Sequence, residues 1–211
     1  MPAFAQRFSQ DSLAWEQVKK LRNGVLIVRL KTKEKTIEAY RNAGNIKLAD
    51  KIAADKKKEN LAIVDAFEKE FRFCPVRFIF SDDSRNLLAK DTISLLTSDL
   101  SIQRRASLND TFYLMAEYGL PLDNVRDKPD VAKHQFETTE GSSPAGSLGF
   151  VMLNTDNKQL QPPFPAVAYP NPLSPKESQM SGAVSRLNAR LFNLFTFGPA
   201  SVQRKARRDR K

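Results

Sequence analysis

Two short apolar runs, Val25–Leu30 and Val76–Phe80, flank residues 31–75, which carry helical periodicity. A strand, a long helical stretch and a second strand of similar composition make an α/β domain the expected fold. Gly44-Asn45 divides the helical stretch, with Gly suited to the left-handed position after one helix and Asn to the cap of the next. Thr32 stands where the first helix would be capped, and Ile37, Ala39, Tyr40 and Ala43 follow at helical spacing. The second helix is expected over Ile46 to Phe71, with Leu48, Ile52, Leu61, Ile63, Val64, Phe67 and Phe71 as its apolar stripe. At this length it would span about 39 Å, so its middle is expected to project beyond the core.

The rest of the chain extends the same pattern. Residues 1–22 read as an N-terminal arm with a short amphipathic helix through Phe8, Leu13, Trp15, Val18 and Leu21, capped by Ser9 or Asp11. Ser81–Ser84 ends the second strand and starts a short helix through Lys90. Thr92–Leu96 reads as extended, Phe112–Tyr118 as the third confident strand and Leu148–Leu153 as the fourth. Asp156-Asn157 makes a turn, Gln159-Leu160 begins a return strand, and Phe164–Tyr169 fits an edge strand, where prolines are tolerated. Residues 119–147 form a long loop rich in Gly, Pro, Asp and Ser. Ser174-Pro175-Lys176-Glu177 is a capping box with Ser174 as N-cap, and Met180, Val184, Leu187, Leu191 and Leu194 follow on one helical face until Gly198-Pro199. The expectation is a single α/β domain over residues 23–198, with a mixed sheet of about five strands, and a basic tail over 199–211.

The chain carries 34 Lys/Arg against 24 Asp/Glu, a net charge of +10, and the excess is unevenly placed. Residues 19–58 hold 13 Lys/Arg against 4 Asp/Glu, and residues 204–211 hold 6 against 1. Blocks of positive charge raise the local potential and draw anionic partners, although a charge run on a helix also serves simply as a solvated face. The partner-binding candidates are therefore Lys51, Lys56, Lys57 and Lys58 on the long helix and Arg204, Lys205, Arg207, Arg208, Arg210 and Lys211 in the tail. An acidic protein, an anionic membrane surface and nucleic acid all fit such charge. The tail lacks interleaved aromatics, so stacking on single-stranded bases is not expected.

Candidates for chemistry are few. Asp82 and Asp83 follow a strand directly, where an open α/β sheet places ligands, and a carboxylate pair there suits Mg²⁺ or acid–base work; equally, one of them would cap the next helix. Cys74 is the only cysteine, so no intrachain disulfide forms, and it reads as a small buried apolar residue rather than a reactive thiol. His134 is the only histidine and reads as a surface residue. Arg104-Arg105-Ala106-Ser107 matches a basophilic phosphorylation pattern that chance produces often. No catalytic residue, metal site or cofactor is expected, and no apolar run approaches the ~18–20 residues of a membrane span.

Two resemblances add expectations. The element order, with the hairpin-like Gly149–Leu160, looks like a thioredoxin-like layout, but Cys-x-x-Cys is absent and no proline immediately precedes the fourth strand; the resemblance therefore implies no redox activity. The blocks Leu26–Thr32, Phe73–Asp82, Pro162–Pro165 and Ser185–Asn188 resemble small uncharacterised secreted proteins of Bacteroidetes-type bacteria. Phe4-Ala5-Gln6 is similar to the end of their signal peptides, and Ala3-Phe-Ala5 has the small-x-small form of a cleavage site. That resemblance implies a periplasmic or cell-envelope location if a leader lies upstream, a cytoplasmic one otherwise, and no particular activity. A non-enzymatic accessory protein is the first functional expectation. A nucleic-acid-binding module and an enzyme built on Asp82 and Asp83 are the alternatives.

Overall fold

The computed structural model describes residues 2–108, 111–121 and 147–199, with side chains from Gln10 onward. In chain order it contains α1 (Pro2–Arg22), β1 (Val25–Leu30), α2 (Glu34–Asn42), α3 (Ile46–Glu70), β2 (Val76–Phe80), a 3-10 turn at Ser81–Asp83, and α4 (Ser84–Leu88). There follow β3 (Ile93–Leu96), β4 (Ile102–Ala106), β5 (Tyr113–Gly119), β6 (Gly149–Leu153), β7 (Val167–Ala168) and α5 (Lys176–Phe197). The strands form one mixed sheet in the order β4-β3-β2-β1-β5-β6-β7. β1 runs parallel to both β2 and β5, and the outer pairs are antiparallel.

Strand alternation divides the apolar residues between two faces. Leu26, Val28 and Leu30 of β1 join Leu114, Ala116, Phe150 and Met152 in the larger core, and α1, α3 and α5 pack onto it through Val18, Leu21, Ile63, Phe67, Leu187 and Leu191. Phe67 sits at its centre, edge-on to Phe150 with ring centroids 5.2 Å apart. Ile27, Ile79, Met115, Val151 and Leu153 point to the other face, where Leu87 of α4 joins them. Gly24 joins α1 to β1 where a Cβ would lie 2.2 Å from the Phe112 carbonyl oxygen, so no side chain fits there.

The sheet has seven strands among the described residues, not about five. The additional strand is chiefly β4, Ile-Gln-Arg-Arg-Ala, which is exposed along almost its whole length and so lacks the apolar alternation by which a strand is read. The expected return strand at Gln159-Leu160 is a single bridge, Leu153 to Gln159. The three expected caps are realised only in part. α5 begins at Lys176 with Pro175 at its N-cap position and no side-chain cap bond; Ser174 instead uses its carbonyl to accept from Gln179 Nε2 at 2.9 Å. At α2 the N-cap position is Lys33, held in the left-handed conformation at φ 56°; Thr32 Oγ1 still accepts from the Glu34 N–H at 3.5 Å while its hydroxyl donates to Asp82. Asn45 stands at the N-cap position of α3 without a side-chain bond.

The two edges of the sheet are treated differently. Ala166 turns its carbonyl inward, to the Met152 N–H at 2.8 Å, so the alternate carbonyls of Val167 and Tyr169 face outward. Arg190 donates to Val167 O and Arg186 to Tyr169 O, closing that edge. β4 forms the other edge and, among the described residues, pairs only with β3.

The long helix does leave the body, but through its amino-terminal half rather than its middle. Ala49 is the one buried residue of α3 before Asn60, and α2 has none. The two helices form an antiparallel hairpin turning at Gly44, whose φ of 77° suits glycine. Its stability comes from its own packing and from the Arg41–Asp50 pair at 3.0 Å, with both partners more than half exposed. Phe67→Ala is accordingly expected to cost about 3–5 kcal/mol in urea unfolding, whereas Tyr40→Ser in the hairpin costs at most ~1 kcal/mol. Equal shifts in the midpoint would show that the hairpin is part of the core after all.

Candidate functional site

The parallel strands β2, β1 and β5 end on one edge of the sheet. The chain leaves β1 for β2 on one side, and β5 lies on the other, so the space between the ends of β1 and β5 is a topological switch point, where open α/β sheets place ligands. The register sets Arg29 directly beside Glu117, both on the face opposite α3. Arg29 donates to Glu117 Oε2, and Lys31 Nζ lies 2.7 Å from Oε1. The Arg29 and Glu117 side chains retain only 12% and 16% exposure, so this pair is shielded from water far more than a surface ion pair. Asp82 follows β2 on the same edge and accepts from Thr32 Oγ1 at 2.8 Å.

Asp83 is committed to structure. Its Oδ2 accepts from the Ser94 N–H at 2.8 Å and its Oδ1 from Asn86 Nδ2 at 3.2 Å, which ties the turn after β2 to β3. Asp82 is exposed and hydrogen-bonded to Thr32, and Asp83 faces β3; the two carboxylates do not converge on a shared ligand position. A groove of about 460 Å³ opens near the start of β5, at the other end of the strand, between Leu87, Lys90, Asp91, Tyr113 and Asp156, and neither Asp82 nor Asp83 borders it. Among the described residues no group of three His, Cys, Asp or Glu side chains is placed to hold a metal ion.

The hairpin rises from this same edge. Asn60 Nδ2 holds the Lys31 carbonyl at 3.0 Å, which fixes the end of β1 against α3, and the strained Lys33 then turns the chain outward. Lys51, Lys57 and Lys58 are exposed on it as expected. Lys56 differs: it points back to the body and pairs with Glu59 at 2.5 Å, with 14% of its side chain exposed. Near this root, burial, and then the Glu59 charge, raise the Tyr118 pKa. The candidate surface gains Lys47, also exposed, which lies one turn before Lys51.

The sequence alone does not single out Arg29, Lys31 and Glu117. Their signal was present, since an arginine and a glutamate interrupt otherwise apolar strands. Only the register shows that they meet. Arg104 and Arg105 sit exposed on β4. His134 and the tail residues Arg204, Lys205, Arg207, Arg208, Arg210 and Lys211 lie outside the described residues, as does most of the expected 119–147 loop.

Cys74 is buried, and burial pushes its thiol from 9.0 up to about 12, against smaller opposing effects of a Leu26 backbone hydrogen bond and the Arg22 charge. The folded protein thus keeps the proton longer than the unfolded chain. The associated stability is complete below about pH 9 and declines as pH rises toward 12. Among the described residues no helix is long and apolar enough to cross a membrane. Comparison with known protein families, curated proteins and solved structures found no match.

Two measurements follow from these contacts. Glu117→Gln leaves Arg29 and Lys31 without their counter-charge and is expected to cost about 1–3 kcal/mol, with Arg29→Met/Glu117→Leu costing less than the single change; additive losses in thermal melts would refute the pairing. A maleimide added at pH 8 is expected to label Cys74 only in denaturant, and Cys74→Val is expected to flatten the loss of stability between pH 9 and 11.

Proposed function

We propose that this chain is a non-enzymatic accessory protein of the periplasm or outer-membrane surface that binds an anionic partner through the α2–α3 hairpin. The observation that carries this reading is a helix with no buried residue, held away from the body on a strained root, beside exposed Lys47, Lys51, Lys57 and Lys58. A nine-residue helix is marginal in isolation, and this one adds nothing to the core. Its residues are therefore explained better by what they meet than by what they bury. The envelope location rests on the resemblance of Leu26–Thr32, Phe73–Asp82 and the residues around Ala5 to secreted proteins. Element order supports a thioredoxin-like layout: a β1–β2 pair joined across α3, then a β5–β6 hairpin and a final helix. β5 runs parallel to β1, with β6 antiparallel beside it.

Heparin chromatography of the full chain tests the hairpin. Lys51→Glu/Lys57→Glu/Lys58→Glu is expected to elute at clearly lower salt than Lys90→Glu/Lys158→Glu/Lys176→Glu, an equal charge change on exposed residues elsewhere. If the two variants elute together, net charge alone governs binding and the hairpin reading fails.

A further inference from the structure

The tip of the hairpin adds a second kind of chemistry to its charge. Residues 41–48 are all exposed, and two of them are large and apolar: Ile46 at 59% and Leu48 at 42%. They flank Lys47 in the first turn of α3. Neither is needed by the core, which the described α3 residues meet mainly from Asn60 onward. Gly44 at the turn has nothing among the described residues within 4 Å of the position a Cβ would take, so the tip is open on that side.

Helix geometry aligns the charges behind this tip. Successive residues turn by about 100°, so Lys47, Lys51 and Lys58 fall within about 40° of one another. They lie opposite the side that buries Ala49, Ile63 and Phe67. Arg41 is neutralised by Asp50 and Lys56 by Glu59, which leaves Lys47 and Lys51 as the cations nearest the tip without a close carboxylate among the described residues.

Acidic proteins, nucleic acids and anionic bilayers all attract such charge, but they differ in what they offer Ile46 and Leu48. A phosphodiester backbone has no place for two aliphatic side chains at the leading end of a lysine row. A bilayer surface has an apolar boundary directly beneath its anionic headgroups. We infer that the hairpin tip docks on an anionic lipid bilayer, with Ile46 and Leu48 entering the headgroup–acyl boundary and Lys47 and Lys51 meeting lipid phosphates. This rests on the reading of the hairpin as the anion-binding arm. It adds that the anion is a lipid surface and that apolar insertion contributes to the affinity. Neither force suffices alone, because an exposed pair of aliphatic residues anchors weakly and charge alone is released by salt.

The test is co-flotation of the full chain with vesicles of phosphatidylcholine alone or with about 30% phosphatidylglycerol. Binding is expected only to the anionic vesicles. Ile46→Ser/Leu48→Ser is expected to weaken it about tenfold or more while heparin elution stays unchanged, which also shows that the variant is folded and charged as before. Lys47→Gln/Lys51→Gln is expected to weaken it roughly 25-fold, about fivefold per lysine. Vesicle binding unaffected by Ile46→Ser/Leu48→Ser overturns the insertion. Heparin retention through the hairpin without vesicle binding overturns the lipid assignment and leaves the anion-binding reading standing. Tighter binding to duplex DNA or to polyglutamate than to anionic vesicles, insensitive to the apolar changes, overturns it in favour of that partner. If neither vesicles nor heparin retain the protein through the hairpin, both readings fall together.

Discussion

β1 is hydrogen-bonded to a parallel strand on each side and covered on both faces, so the ionic side chain it carries must find its counter-charge within the sheet. Arg29 does so in Glu117, the residue its register sets beside it on β5. The same register aligns Leu26 with Leu114 and Ile27 with Met115. A slip of one residue would turn every one of these side chains to the wrong face and leave the arginine against hydrocarbon. Ion pairing and hydrophobic alternation thus select the same alignment. The fold on either side, with α3 crossing from β1 to β2 and the β5–β6 hairpin beyond, is built outward from it.

The α2–α3 hairpin stands apart from that logic. α3 serves two purposes along its length: its carboxyl half is a core helix, anchored by Ile63, Val64 and Phe67, while its amino half is one side of an exposed arm. Asn60 marks the changeover, buried and bonded to the end of β1. Substitutions on the two sides of this residue therefore act on different properties, stability on one side and surface chemistry on the other. The surface can vary widely without loss of the fold.

Much of this architecture is legible from the residues. β1, β2, β5, β6 and α3 fall close to their expected bounds because each is long enough, or apolar enough, for its period to show. Gly44 marks its turn for a plain steric reason. β4 stays hidden because both of its faces are wet, which removes the alternation that identifies a strand. At α5, Ser174 and Glu177 satisfy the spacing of a capping box, yet the helix begins one residue later, with Pro175 at its N-cap position. For the site, Asp82 and Asp83 are visible as a pair in sequence, but hydrogen bonding sends them to different partners. Arg29, Lys31 and Glu117 were harder to find, since their association spans 88 residues and exists only once the strands align. Lys56 looks equivalent to Lys57 and Lys58 until the helix phase turns it inward.

The unequal edges of the sheet bear on how copies of the protein can associate. One margin has its outward carbonyls occupied by Arg186 and Arg190, and the other is the backbone of β4, unpaired among the described residues. A sheet with a single open margin cannot polymerise by strand addition, because a second molecule joined there uses up the open margin of each. Edge pairing would close as a two-fold dimer and stop. Even that step is opposed by the exposed Arg104 and Arg105, since a join centred on them sets arginine against arginine across the two-fold. Arginines from a helix thus occupy the carbonyls of one border, and arginines of the strand itself line the other.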